Sequence, residues 1–158
     1  MKTKIIYCVI LLSLLACDDE LDNITVIPAE LQTYFDLFKT EAALRGVEID
    51  YTGMKVYYHD FSSPTQTGDS NRDKMRIRLD SSNASFQKEP QRIIFHELGH
   101  LLLDRRHDDS RMGKRELVKS FMNCCYPPKP GYETIPEMQK YYLDELFDPN
   151  TPTPDWAN

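Results

Sequence analysis

The chain has 158 residues but only four cysteines, four histidines, six glycines and one tryptophan. Six glycines exclude a collagen-like repeat. A composition that is 41% hydrophobic and 28% charged excludes a wholly disordered chain. Basic charge is short too: the formal net charge is −6, with no basic patch, which argues against nucleic acid as a partner. No apolar run is long enough to span a bilayer. The run over residues 5–16 has twelve positions, against the ~20 that a spanning helix needs. What remains is the length of one domain, able to bury roughly two-thirds of its unfolded surface in a core.

The first residues read as an address. Lys2 and Lys4 give a positive start, the apolar run follows, and it ends in Leu14-Leu15-Ala16-Cys17. That string resembles a bacterial lipoprotein lipobox. The resemblance implies removal of residues 1–16 as a signal peptide and acylation of Cys17 on its thiol and new amino group. The acyl chains would then hold the protein to a membrane, at ~0.8 kcal/mol per buried CH₂. Asp18, Asp19 and Glu20 come next, consistent with display at an outer membrane or on its outer surface. Residues 17–27 read as the lipidated cysteine and a tether, and residues 28–158 as one domain. Beyond residue 16 there are 17 basic and 25 acidic residues, a net −8. Cys8 falls in the removed segment, which leaves Cys124 and Cys125. Side by side, they read as unlinked thiols rather than a strained vicinal disulfide. Without a second CxxC pair they do not make a structural zinc site.

Hydrophobic periodicity gives an α+β order. Pro28 suits a helix start, and Leu31, Tyr34, Phe35, Phe38, Ala42 and Leu44 recur at helical spacing until Gly46. Alternation then marks three strands, around Val47–Tyr51, Met54–Tyr58 and Met75–Leu79. Residues 61–73 and 81–89 are polar and read as loops. A central helix begins near Pro90 and carries Ile93, Ile94, Phe95, Leu98 and Leu101. The chain is polar and irregular from Arg105 to Arg115. Pro136 opens a last helix with Met138, Tyr141, Tyr142, Leu146 and Phe147 on one stripe. The tail after Pro149 is loose or held through Trp156.

The central helix carries His96-Glu97-Leu98-Gly99-His100. Positions four apart share a helix face, so two imidazoles can meet one metal ion. Glu97 sits about 100° round from His96, within reach of a water on that ion without ligating it. Zinc suits imidazole donors and leaves a fourth position for water. With four histidines in 158 residues, chance would place such a pentad about 0.006 times.

A tetrahedral site needs a third ligand, and His107 is the first candidate. A straight helix forbids it, because seven residues beyond His100 is ~10 Å of rise. The helix must end between Leu101 and Arg106. Asp104 suits that exit, since Asp enters the left-handed region more readily than most residues other than Gly. Asp104, Glu116, Glu133 and Glu137 are rival third ligands.

The pentad, the helix exit, His107 and then Ser120-Phe121-Met122-Asn123 resemble the metzincin class of zinc peptidases. That resemblance implies a small zincin-like α+β domain: an N-terminal helix, a short mixed or antiparallel sheet, the central HExxH helix and a C-terminal helix. It also implies one catalytic Zn²⁺ on His96, His100 and His107, Glu97 as general base, and Met122 as a Met-turn beneath the metal. The expected activity is zinc-dependent hydrolysis of peptide or protein substrates in the cell envelope. The Met75–Leu79 strand is the expected cleft edge, and Arg76 and Arg78 read as a solvated face rather than as selectors of acidic substrates. His59, without a partner in sequence, reads as structural. Three positions depart from the family pattern. Leu103 stands where a glycine is usual, His107 comes seven rather than six residues after the second histidine, and Cys124 replaces a tyrosine found in some members. Tyr126 and Tyr132 are the nearby tyrosines. Two alternatives remain open: a gluzincin-like peptidase with Glu133 or Glu137 as third ligand, and an inactive peptidase-like lipoprotein that serves as a binding module.

Overall fold

Leu31, Phe35, Phe38 and Ala42 recur every three or four residues, and each is at most 4% exposed. This stripe makes one face of helix α1 (Gln32–Leu44), which follows a single 3₁₀ turn, Ala29–Leu31. A computed structural model describes residues 23–124 and 132–158. Residues 1–16, read above as a signal peptide, lie outside them, as do Cys17, Cys125 and Tyr126. Helix α1 stops where Gly46 takes φ 73°, a conformation glycine adopts without a Cβ penalty.

Three strands make one sheet: β1 (Lys55–Tyr58), β2 (Gly68–Asn71) and β3 (Arg76–Leu79). Their order is β1-β3-β2, with β1 parallel and β2 antiparallel to β3. Val56, Ile77 and Leu79 point into the core, the alternation expected of a sheet with one wet face. Residues 47–51, expected as a strand, form no regular element and pair with no strand. Ile49 is still buried, and the Tyr51 hydroxyl donates to the Phe35 carbonyl at 2.8 Å. Strand β2 lies in a segment expected as a loop, because Gly68-Asp69-Ser70-Asn71 carries no apolar residue. A second such segment holds helix α2 (Ala84–Lys88), capped by Asn83, whose Oδ1 accepts the Ser85 N–H at 2.9 Å. The domain also begins before Pro28. Thr25 donates to the Tyr51 carbonyl at 2.7 Å, and Val26 bridges to β1.

Helix α3 (Pro90–Leu103) has proline in its first turn, where a missing N–H costs nothing. Ile93, Ile94, Phe95, Leu98 and Leu101 are at most 2% exposed, so the helix is central. Phe95 meets Phe38 of α1 edge-on, with ring centres 5.1 Å apart. The polar stretch that follows holds a two-stranded hairpin, β4 (Arg111–Met112) with β5 (Leu117–Val118). Helix α4 (Pro136–Phe147) turns Met138, Tyr141, Tyr142 and Leu146 inward. The tail closes onto the hairpin: Ala157 is fully buried, a Cβ on Gly113 would come within 1.9 Å of its carbonyl, and Trp156 packs on Tyr141. Among the described residues no helix is long and apolar enough to cross a membrane.

Candidate metal centre

His96 and His100 sit one turn apart on α3, with ring centres 4.7 Å apart. The helix then ends at Asp104, which takes φ 53° and ψ 28°. The Arg105 N–H turns back to the Gly99 carbonyl at 3.0 Å. Asp104 therefore makes the exit, in the left-handed conformation that its short polar side chain tolerates. The reversed chain brings the His107 ring to 4.7 Å from that of His100.

The inward nitrogens converge. His96 Nε2 lies 3.1 Å from His100 Nε2 and 3.2 Å from His107 Nε2, and one ligand atom of each histidine lies within 4.8 Å of the others. The outward nitrogens face carbonyls: His100 Nδ1 donates to Arg105 O at 2.6 Å and His96 Nδ1 to Phe121 O at 3.3 Å. A carbonyl only accepts, so the proton of a neutral ring sits on Nδ1 and Nε2 offers a lone pair. Two lone pairs 3.1 Å apart do not hydrogen-bond; they suit a shared cation. Tetrahedral geometry at the usual ~2.0–2.1 Å Zn–N distance sets ligand nitrogens roughly 3.4 Å apart. The donor set therefore fits zinc in element and spacing, and His96 and His100 fit in tautomer too. Burial is the largest factor lowering the His96 pKa, to about 3, with the neighbouring His100 adding to it; His100 is lowered as well, again chiefly by burial. Both rings stay neutral, the form that ligates.

Glu97 faces the other side of the turn, against β2, and is 6% exposed. Burial pushes its carboxyl up to about 7, opposed by a hydrogen bond from Ser70. Gly68 lets the strand come this close: a Cβ there would lie 3.0 Å from Glu97 Oε1 and 3.2 Å from the Arg78 carbonyl. A cleft of about 720 Å³ runs along this edge, lined by the three histidines and Glu97, by β2, and by Lys88 and Arg92 at the start of the helical layer. The strand bordering the cleft is β2, not the Met75–Leu79 strand, because β3 is the middle strand of the sheet. Arg78 is engaged elsewhere. Its Nε donates to Asp69 at 2.8 Å and its guanidinium lies over Phe61, while His59 Nε2 is 3.3 Å from its Nη1.

Met122 is fully buried beneath the helix. A Cβ on Gly99 would lie 2.7 Å from its sulfur, so the pentad's glycine is the place where the helix rests on Met122. The turn around it is tied to the His107 segment by Asp108 N–H to Met122 O, 3.1 Å. Cys124 is disulfide-bonded, which corrects the expectation of free thiols; its N–H donates to Asp109 Oδ1 at 3.0 Å. The rival ligands lie apart from the histidines. Asp104 pairs with Arg72, Glu116 sits in the hairpin turn with φ 53°, Glu133 lies in the 3₁₀ turn before α4 and Glu137 in the first turn of α4. Among the described residues, His96, His100 and His107 are the one group that can hold a metal. Tyr132 is buried against Phe121 and Tyr142 rather than lining the cleft.

Sequence reasoning missed Gly68 and Ser70, whose polar strand gives no periodic signal, and the pair Arg105 and Glu145. Glu145 is 0% exposed on α4. One signal pointed to it: an acid one position before Leu146 on the apolar stripe, where a solvated residue is out of place. No family model matches the chain, and neither does any curated protein or solved structure.

Proposed function

We propose that the chain is a zinc-dependent, metzincin-like metallopeptidase with a zincin-like α+β domain, anchored by lipid on Cys17 in the envelope of a bacterial cell and hydrolysing peptides or proteins there. The observation that carries this reading is the convergence of three imidazole nitrogens, 3.1 and 3.2 Å apart where measured from His96, beside a buried carboxylate in an open cleft. His96, His100 and His107 would hold the zinc, which when bound would supply Lewis-acid chemistry toward a water and a peptide carbonyl. Glu97 accepts the water's proton and returns it to the departing amine as the peptide bond breaks. Strand β2 offers its outer edge to an extended peptide, and Gly68 and Ser70 set that edge against Glu97. Lys88 and Arg92 put positive charge on the cleft wall, with Arg92 paired to Glu89.

The test joins composition to activity. Protein purified without chelator carries one zinc per chain by elemental analysis, and cleaves members of a peptide library. Chelation abolishes cleavage. Glu97→Gln keeps the zinc and loses the cleavage. A wild type that holds stoichiometric zinc but cleaves nothing would instead be a binding module on a peptidase scaffold. Palmitate labelling of the wild type and its loss in Cys17→Ala test the anchor.

A further inference from the structure

Glu145 gathers its partners from two segments that are otherwise held by no long helix or strand. Its Oε1 accepts from the Arg105 guanidinium and, at 2.8 Å, from the Ser120 hydroxyl; its Oε2 accepts the Phe121 N–H at 2.8 Å. Arg105 also donates to the Leu146 carbonyl at 2.7 Å, and the Met122 N–H donates to Ser120 Oγ at 2.9 Å. The next link is backbone. Arg105 and Phe121 are the residues whose carbonyls receive His100 Nδ1 and His96 Nδ1. One carboxylate thus grips both residues that aim the two helix imidazoles.

A fully buried carboxylate is expensive to desolvate and persists only when paired and hydrogen-bonded. An apolar residue would fill the same stripe of α4 at lower cost. Packing holds the buried Phe121 and Met122, whereas the polar Arg105 side chain and Ser120 hydroxyl are held by these hydrogen bonds. We infer that Glu145 is a positioning residue: from α4, through Arg105 and the Ser120-Phe121 backbone, it sets the tautomer and orientation of His96 and His100. This rests on the metal-centre reading above. Partners that orient a ligand histidine from behind contribute roughly 10–100-fold to metal affinity.

The test measures zinc affinity by chelator competition, the visible spectrum of the Co²⁺-loaded chain, and thermal melting without metal. Wild type is measured first, and failure to bind either ion would overturn the metal-centre reading itself. Glu145→Gln should weaken zinc binding roughly 10–100-fold and alter the Co²⁺ spectrum. Because it leaves Arg105 without its anionic partner and can unfold the chain, the double variant Arg105→Met with Glu145→Leu is measured beside it. That pair removes both charges together and should keep the fold while showing the same loss of affinity. Asp144→Asn, on the same helix as Glu145, is the control: it breaks the pairs with Arg45 at the end of α1 and with Lys140 and should lower melting alone. Wild-type affinity and spectrum in the folded Glu145 variants would overturn the proposal. So would an equal loss of affinity in Asp144→Asn, which would make Glu145 only one more support of α4.

Discussion

His107 Nε2 lies 3.2 Å from His96 Nε2, across eleven positions of sequence. Asp104 makes that closure possible, because its positive φ ends α3 and sends the chain back over the helix face. The left-handed conformation costs roughly 1–2 kcal/mol for an ordinary residue and most for a β-branched one. Asp104→Gly should therefore preserve zinc affinity and melting, the lost Arg72 pair being solvent-exposed and worth little. Asp104→Val should destabilise by about 1–2 kcal/mol and weaken zinc binding as well. Urea unfolding and chelator competition on the two variants check both halves.

The third ligand is tested apart from the turn. His107→Ala should weaken zinc binding by more than the roughly 10–100-fold expected for an outer partner of a ligand. Glu133→Gln and Glu137→Gln should leave it unchanged, because neither carboxylate belongs to the group that can hold a metal. Retained affinity in His107→Ala, with loss in a glutamate variant, would move the third ligand to that glutamate.

Apolar spacing made α1, α3 and α4 legible but not the short polar α2, and the exit at Asp104 was legible from the distance that His107 had to cover. Periodicity could not reveal β2. Its four residues are polar, and they are a strand only because β3 offers a free edge and Gly68 lets the backbone lie against Glu97. Placing the cleft beside β3 followed from the same gap, since strand order is a long-range property. Val47–Tyr51 misled in the opposite sense. Its alternation reflects Ile49 and Tyr51 packing under α1, with no neighbouring strand to pair with. Glu145 is a residue of a later helix whose partners lie 24 to 40 positions away, and no local pattern encodes such a contact.

Gly68 should matter more to catalysis than to folding. Alanine there would place its Cβ 3.0 Å from Glu97 Oε1 and 3.1 Å from its Cγ, so either the Glu97 side chain or the strand edge must yield by a few tenths of an ångström. Small displacements of reacting groups are costly: about 1 Å corresponds to 10²-fold in rate. Gly68→Ala should lower kcat/KM about tenfold and shift unfolding by less than about 1 kcal/mol. Parallel measurement of peptide hydrolysis and urea unfolding separates the two. A large fall in stability with activity per folded molecule intact would place Gly68 in the sheet's architecture alone.

The pair Asp69–Arg78 should make stability sensitive to acid. The Arg78 hydrogen bond is the main factor holding the Asp69 carboxyl below the usual carboxylate range, against the opposing effect of burial. In the unfolded chain that carboxyl titrates near ~3.9. The folded value is lower, so the pair's contribution is complete above pH ~4 and fades as pH falls through the folded value. Both side chains are 29% exposed, which keeps the contribution to about 1 kcal/mol or less. Wild type should therefore lose stability relative to Arg78→Gln as urea titrations move from pH 5 to pH 2, and the two should run parallel from pH 5 to pH 7. A difference that instead grew above pH 5 would mean that a group other than Asp69 responds to Arg78.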